Sequence, residues 1–229
     1  MKGNLPTLEP KLLERWNSLN LYEKLRTQSQ KKTKFVLHAG PPYANGNLHI
    51  GHAFTGVFKD VVVRHRQLQG FDAPYIPGWD SHGLPIEWKV EEGYRKAGKS
   101  KDQVPTLEFR AQCRAFAKEW MEVQRQESQR LGLLADWDHP YNTMDFHSEA
   151  ATTAEFLKVL MSGQLYRGER PVMWSVVEKT ALADAEVEYM DHTSTSVYVA
   201  FSVSSTNIKE LENAQVVIWT TTPWTLPGN

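Results

Sequence analysis

The sequence predicts an α/β fold, with a parallel sheet in its first part and a β-rich segment after it, on three observations. An apolar run, Lys34-Phe35-Val36-Leu37-His38, leads through a Gly/Pro-rich loop into a strongly periodic apolar segment that starts at Ala53. A second extended segment, Phe71 to Trp79, ends in another Gly/Pro-rich turn, Gly78 to Pro85. Strand, loop, helix and strand in that order make a βαβ unit, whose strands run parallel. From about Val172 onward, short runs alternate apolar and polar residues, as antiparallel strands do.

Along the chain, Leu12, Leu13, Trp16, Leu19 and Leu21 predict an amphipathic helix within residues 8–26, followed by a polar, basic linker from Gln28 to Lys34. After the loop, Phe54, Val57, Phe58, Val61 and Val62 repeat at helical spacing. Lys59, Arg64 and Arg66 fall off that stripe, and Gly70 suits the C-terminal stop. Ile86 to Ala97 reads as a short charged helix. Thr106 is suited to cap a longer one, in which Phe109, Cys113, Phe116, Trp120 and Val123 recur every three or four residues. Glu149 to Met161 predicts a further helix, stopped by Gly163. Strands are expected at Glu186–Tyr189, Val197–Phe201 and Val216–Trp219, with a domain boundary near residue 190, so that residues 1–190 and 191–229 are separate domains. The last apolar strand runs into a Thr/Pro/Trp-rich turn with no following partner, and the expectation is the front part of a longer protein.

Composition narrows the function classes. The 229 residues are 41% hydrophobic and 23% charged, with a formal net charge of −1, so there is no global basic signature for nucleic acid. No apolar run is long enough to span a bilayer, and Met1 to Pro6 has no signal-peptide core, so no membrane partner is expected. The single cysteine, Cys113, excludes an internal disulfide and fits a reducing cytoplasm.

The loop Gly40-Pro41-Pro42-Tyr43-Ala44-Asn45-Gly46-Asn47-Leu48-His49-Ile50-Gly51-His52 joins a strand to a helix start. Unpaired backbone N–H groups and the positive end of a helix dipole make such a place fit for an anion. Spaced three apart on a helix, His49 and His52 suit a phosphate contact, a structural hydrogen bond or a metal. The metal reading lacks a third and fourth ligand in any HExxH or cysteine cluster and ranks last. A glycine at position 51 lets a ligand lie against the backbone. Both Gly/Pro-rich turns fall at the carboxyl ends of parallel strands, where ligands of open α/β sheets bind. A formal P-loop match, Gly93 to Ser100, is set aside: it follows a charged stretch rather than a strand and reads as a solvated basic turn.

His49-Ile50-Gly51-His52 resembles the HIGH tetrad of class I aminoacyl-tRNA synthetases. The wider string from Gly40 to Gly46, with Pro77-Gly78-Trp79-Asp80-Ser81-His82-Gly83-Leu84-Pro85-Ile86-Glu87, is similar to the isoleucyl members of that family. The likeness runs on through Asp136–Asp138, Tyr141–Phe146 and Ala181–Tyr189, over nearly the whole chain. It implies the first half of a Rossmann-type catalytic domain followed by the start of an editing domain. It also implies a cytoplasmic ligase, the partners ATP, isoleucine and tRNA(Ile), and a monomeric state.

The reaction so implied has two steps: the isoleucine carboxylate attacks the α-phosphate of ATP, and the acyl group then passes to the terminal ribose of tRNA. An ionised carboxylate needs no strong general base. Catalysis then rests on in-line positioning and on neutralising phosphoryl charge, with Mg²⁺ on the phosphates. By resemblance His49 and His52 are the catalytic residues. Gly40, Pro41, Pro42, Tyr43, Asn47 and Gly51 join them around ATP, while Pro42 and Asp80 hold the amino acid, Asp80 through its ammonium. Asp80 has the alternative of merely closing its turn, and Tyr43 and Trp79 could be pocket walls or core.

The run Trp219 to Pro227 resembles the threonine-rich peptide of the editing domain, with Thr220, Thr221, Thr222 and Thr225 positioning a misacylated ribose end or a water. Editing has a physical motive: isoleucine and valine differ by one methylene, worth about 1–3 kcal/mol in a worked comparison drawn from this enzyme type. Two departures stand out. Ser175-Val176-Val177-Glu178 replaces a Cys-x-x-Cys, so no zinc is expected there, and no other metal site is expected in the chain. The Lys-Met-Ser-Lys-Ser loop is missing from these residues, so weak or no adenylation is expected of the chain alone. The rival reading is a synthetase-like nucleotide- or partner-binding fragment without catalysis.

Overall fold

Leucine-rich segments at the start form two helices: α1 (Leu5–Ser18) and α2 (Leu21–Ser29) in a computed structural model whose described residues are 3–228. One helix was expected over this stretch. The break falls at Leu19-Asn20, where Asn20 takes the left-handed conformation (φ 48°), which asparagine tolerates better than most residues. The chain divides into two compact units, one to Gly168 and one from Glu169, upstream of the domain boundary expected near residue 190.

The first unit carries the parallel sheet in reduced form. Lys34 pairs with Asp72 and Tyr43 with Asp80 as isolated parallel bridges, and β1 (Gly78–Trp79) pairs in parallel with β2 (Tyr141–Asn142). Three extended segments therefore lie side by side, with Phe71–Asp80 in the middle. The run Lys34–His38 is extended but holds the sheet only through its first residues, Phe35 N–H donating to Asp72 O at 2.8 Å. Pro41, Pro42, Pro74 and Pro77 supply no N–H, which breaks a continuous ladder into bridges.

Between the two outer crossings lies α3 (Ile50–Leu68), which ends before Gly70 (φ 92°). It sits in the fold the other way round from its apolar pattern. Val63 is buried, Gly56 abuts Leu133, and Asp60 accepts from Arg64 Nε (2.6 Å) and Leu134 N–H (3.1 Å). Arg64 stacks on Trp16 and Arg66 on Phe35 and Phe71. The stripe faces solvent instead, with Phe54 63% and Phe58 58% exposed.

Two more helices cover the sheet: α4 (Leu84–Lys96) and α5 (Thr106–Arg130). Thr106 is the first residue of α5 rather than its cap; Pro105 occupies the cap position and no side chain closes it. The core joins Ala44, Trp79, Ile86, Ala117 and Met144, with Cys113, Phe116, Trp120 and Met121 of α5 packed on it. The two loops are thus anchored in the core by Ala44 and Trp79. The last helix of the unit, α6 (Phe146–Met161), stops before Gly163 (φ 74°).

The second unit is antiparallel. A short hairpin, β3 (Trp174–Ser175) with β4 (Thr180–Ala181), turns through Val176–Lys179. Its larger hairpin pairs β5 (Val197–Ser202) with β6 (Gln215–Thr220) from Val197 opposite Thr220 to Ser202 opposite Gln215. Glu186–Tyr189, expected as a strand, is not one: Asp184–Glu186 forms a 3₁₀ turn, closed by Glu186 Oε2 accepting from Ala183 N–H at 2.8 Å. Among the described residues no helix is long and apolar enough to cross a membrane.

Candidate functional site

The N-terminus of α3 is closed by the two histidines on each other. His49 is the cap residue, in extended conformation, and its Nδ1 accepts from Gly51 N–H at 3.0 Å. His52 Nδ1 accepts from His49 N–H at 3.3 Å. The rings lie 3.8 Å apart between centroids and 30° from parallel. With each Nδ1 an acceptor, the neutral ring carries its proton on Nε2. Burial, His49 and Lys59 together lower the His52 pKa from its usual 6.5, which favours that neutral form. Two N–H donors are thereby fixed at the positive end of a helix dipole, and such donors can bind phosphate oxygens.

Gly51 is explained by the cap itself. A Cβ there would lie 2.9 Å from His49 Cε1, so the glycine makes room for the ring that folds back on the helix.

Two side chains of α5 hold the loop in place, and the sequence reading missed both. Gln124 is 1% exposed; its Nε2 donates to Tyr43 O (3.0 Å) and Gly46 O (2.7 Å), and its Oε1 accepts from Trp79 Nε1 (3.0 Å). It therefore bolts both Gly/Pro-rich turns to one helix. Glu127, one turn on, accepts from Asn47 Nδ2 and Leu48 N–H, each at 2.7 Å. The signal for Gln124 was a polar residue at i+4 from Trp120, on the core side of an otherwise apolar helix face. Glu127 gave no signal, because a glutamate on a long helix is ordinary.

The expected ATP and amino-acid residues fall on two sides of this arrangement. Gly40, Pro41, Pro42 and His52 line a cleft of about 170 Å³, with Lys59 of α3 and Trp79 of β1. Gly40 has open space around its Cα. Tyr43 is exposed and lies outside that cleft lining, its carbonyl held by Gln124. Asn47 spends its amide N–H on Glu127. His49 borders a separate open groove with Ile50, Glu127 and Leu131. Trp79 is both core and wall: 3% exposed, yet part of the cleft lining.

Asp80 adjoins the loop through its backbone, its N–H donating to Pro42 O (2.8 Å) and its C=O accepting from Ala44 N–H (3.1 Å). Its carboxylate accepts from His82 N–H at 3.4 Å, the turn-closing contact, and it does not line the cleft. The turn beyond is braced by Ser81, whose Oγ donates to Asn142 Oδ1 (2.9 Å), and by His82 on Glu149 (3.1 Å).

The threonines belong to the second unit. Thr222 N–H donates to Thr220 Oγ1 (3.0 Å), and Thr225 Oγ1 donates to Thr222 O (2.8 Å). These hydroxyls fold their own turn at the end of β6, and Thr221 lies half-buried beside them.

With this geometry in hand, comparison with known proteins places the chain. The model for the class I tRNA synthetases of the I, L, M and V group matches residues 11–225, and the chain belongs to that family. Among its relatives are isoleucine–tRNA ligases of Bradyrhizobium diazoefficiens (57% identical over all of this chain and 23% of the relative), Agrobacterium fabrum (57%, all and 24%) and Pelagibacter ubique (56%, all and 25%). The chain spans about a quarter of the length of these curated relatives. Its fold is similar to the Agrobacterium radiobacter K84 leucyl enzyme, agnB2 LeuRS, solved as a ternary complex with tRNA and LeuAMS. The TM-score is 0.59 at 24% identity, over 80% of this chain and 21% of that one.

Proposed function

We propose that this chain is the ATP-phosphate side of an isoleucine–tRNA ligase, which joins isoleucine to ATP as the adenylate and passes it to tRNA(Ile). The observation that carries the reading is the mutual cap of His49 and His52, which leaves two Nε2–H donors at the start of α3. The choice of isoleucine leans on the relatives at 56–57% identity, which are isoleucine–tRNA ligases. In this reading the donors meet phosphoryl oxygens as charge shifts during attack by the carboxylate. Gly40–Pro42 form the wall beside them, with Tyr43 and Asn47 at its rim, and Asp80 takes the substrate ammonium when its carboxylate leaves the His82 N–H.

Imidazole and backbone N–H groups donate hydrogen bonds to anions and are not hard oxygen ligands, so Mg²⁺ would enter on the ATP phosphates. The catalytic part extends to about residue 190. Beyond it, β5, β6 and the turn with Thr220, Thr221, Thr222 and Thr225 begin an editing domain that removes valine. The protein works as a cytoplasmic monomer.

The test is amino-acid-dependent exchange of pyrophosphate into ATP, run on the chain alone and on a polypeptide of the relatives' length that contains it. Exchange is expected from the longer polypeptide only, with isoleucine preferred over leucine and methionine. Exchange that prefers another amino acid would remove the isoleucine assignment. Full exchange by the chain alone would remove its description as one side of the site.

A further inference from the structure

A cation without a partner among the described residues lies in the cleft beside the Gly40–Pro42 loop. Lys59 sits on the same face of α3 as His52, seven residues later, and lines both the 170 Å³ cleft and an adjoining hollow of about 50 Å³. Seven residues of helix rise about 10 Å. Side chains lean toward a helix N-terminus, so the four-carbon stem carries the ammonium back toward the loop. No carboxylate lines either space among the described residues. The adjacent carboxylate, Asp60, is taken by Arg64 and the Leu134 N–H.

Lys59 itself makes no ion pair or hydrogen bond among the described residues. It is half-buried, and burial lowers its pKa from the usual 10.5. A partly desolvated cation without a counter-charge is unfavourable, and an anion in the cleft would compensate it. The neighbouring Gly40, with nothing near its Cα, leaves that anion room against the backbone.

We propose that Lys59 is an anion-binding residue of this cleft, its ammonium holding a phosphoryl or carboxylate group of the ligand against the Gly40–Pro42 loop. The inference rests on the ligase reading and deepens it, since ATP and an amino acid bring those two anionic groups.

Inorganic pyrophosphate and isoleucine, titrated separately into the chain and followed by fluorescence of Trp79 and Trp137 in the cleft wall, distinguish the two sources. Lys59→Met is expected to weaken binding of one probe tenfold or more, and Lys59→Arg to keep most of it. The methionine variant should melt no lower than the unsubstituted chain, because it removes an unpaired charge. Unchanged binding of both probes by Lys59→Met would overturn the proposal, and so would a lowered melting temperature, which would reveal a partner within the fold. If binding survives Lys59→Met but is lost on combined His49→Ala and His52→Ala, Lys59 is dismissed and the histidine site stands. The opposite pattern keeps Lys59 and dismisses the histidines, and failure of the unsubstituted chain to bind either probe dismisses both.

Discussion

Glu127 and Gln124 reach the Gly40–His52 loop from α5 and give single-residue predictions. Removing the Glu127 carboxylate leaves the Leu48 N–H and the Asn47 amide without acceptors. Glu127→Ala should therefore cost about 1–3 kcal/mol in urea denaturation, with faster hydrogen exchange at Leu48. An unchanged midpoint would mean that solvent replaces the carboxylate freely. At His52 the folded pKa lies below the unfolded value of 6.5, so the folded state binds this proton less readily. That contribution to stability is present above about pH 6.5 and is lost as pH falls through the lower folded value. His52→Gln should flatten the melting profile between about pH 7.5 and pH 5.5. Cys113 is half-buried against the core, and burial first, then Glu87, pushes its pKa up to about 11. On the order of one thiol in a thousand is then ionised at pH 8, and alkylation should be far slower than for free cysteine.

Among the elements, α3 separates what a pattern reveals from what it does not. Its existence and its end at Gly70 were legible, because apolar spacing and a positive-φ glycine are local properties. The direction it faces was not. Spacing identifies an apolar stripe but not its partner, and here the packed side is made of Gly56, Asp60, Val63 and Arg64. Substituting Phe54→Ser and Phe58→Ser together should leave stability of this chain within about 0.5 kcal/mol, since both rings are exposed. Val63→Ala on the opposite side should cost about 2 kcal/mol. Equal costs for the two would contradict the observed orientation. The split of α1 from α2 was also hidden, because the leucine spacing continues across Asn20 while the backbone does not.

For the whole molecule, the candidate site was legible as a string and not as a mechanism. The order of the two Gly/Pro-rich turns pointed to the class I synthetases, and the family match covers residues 11–225. The bracing by Gln124 and Glu127, and a Lys59 with no partner among the described residues, depend on residues far apart in sequence and could not be read from spacing. The closing of each histidine on the backbone of α3 is local, and there the spacing left a phosphate contact, a structural hydrogen bond and a metal all open. The threonine turn shows the reverse: Thr220, Thr222 and Thr225 are legible as a motif, yet Thr220 and Thr222 hydroxyls meet each other, Thr220 Oγ1 accepts from Thr222 N–H, and Thr225 Oγ1 donates to Thr222 O.

The central claim is that His49 and His52 present Nε2–H to the phosphates of ATP. Long-range ¹H–¹⁵N spectra of the histidine rings, recorded on this chain with and without ATP and Mg²⁺, test it directly. Both rings should show the proton on Nε2, and both should shift on adding ATP, while exposed His139, paired with Asp136, stays in place. Protonation at Nδ1 of either ring, or His49 and His52 signals unmoved at saturating ATP, would contradict the account.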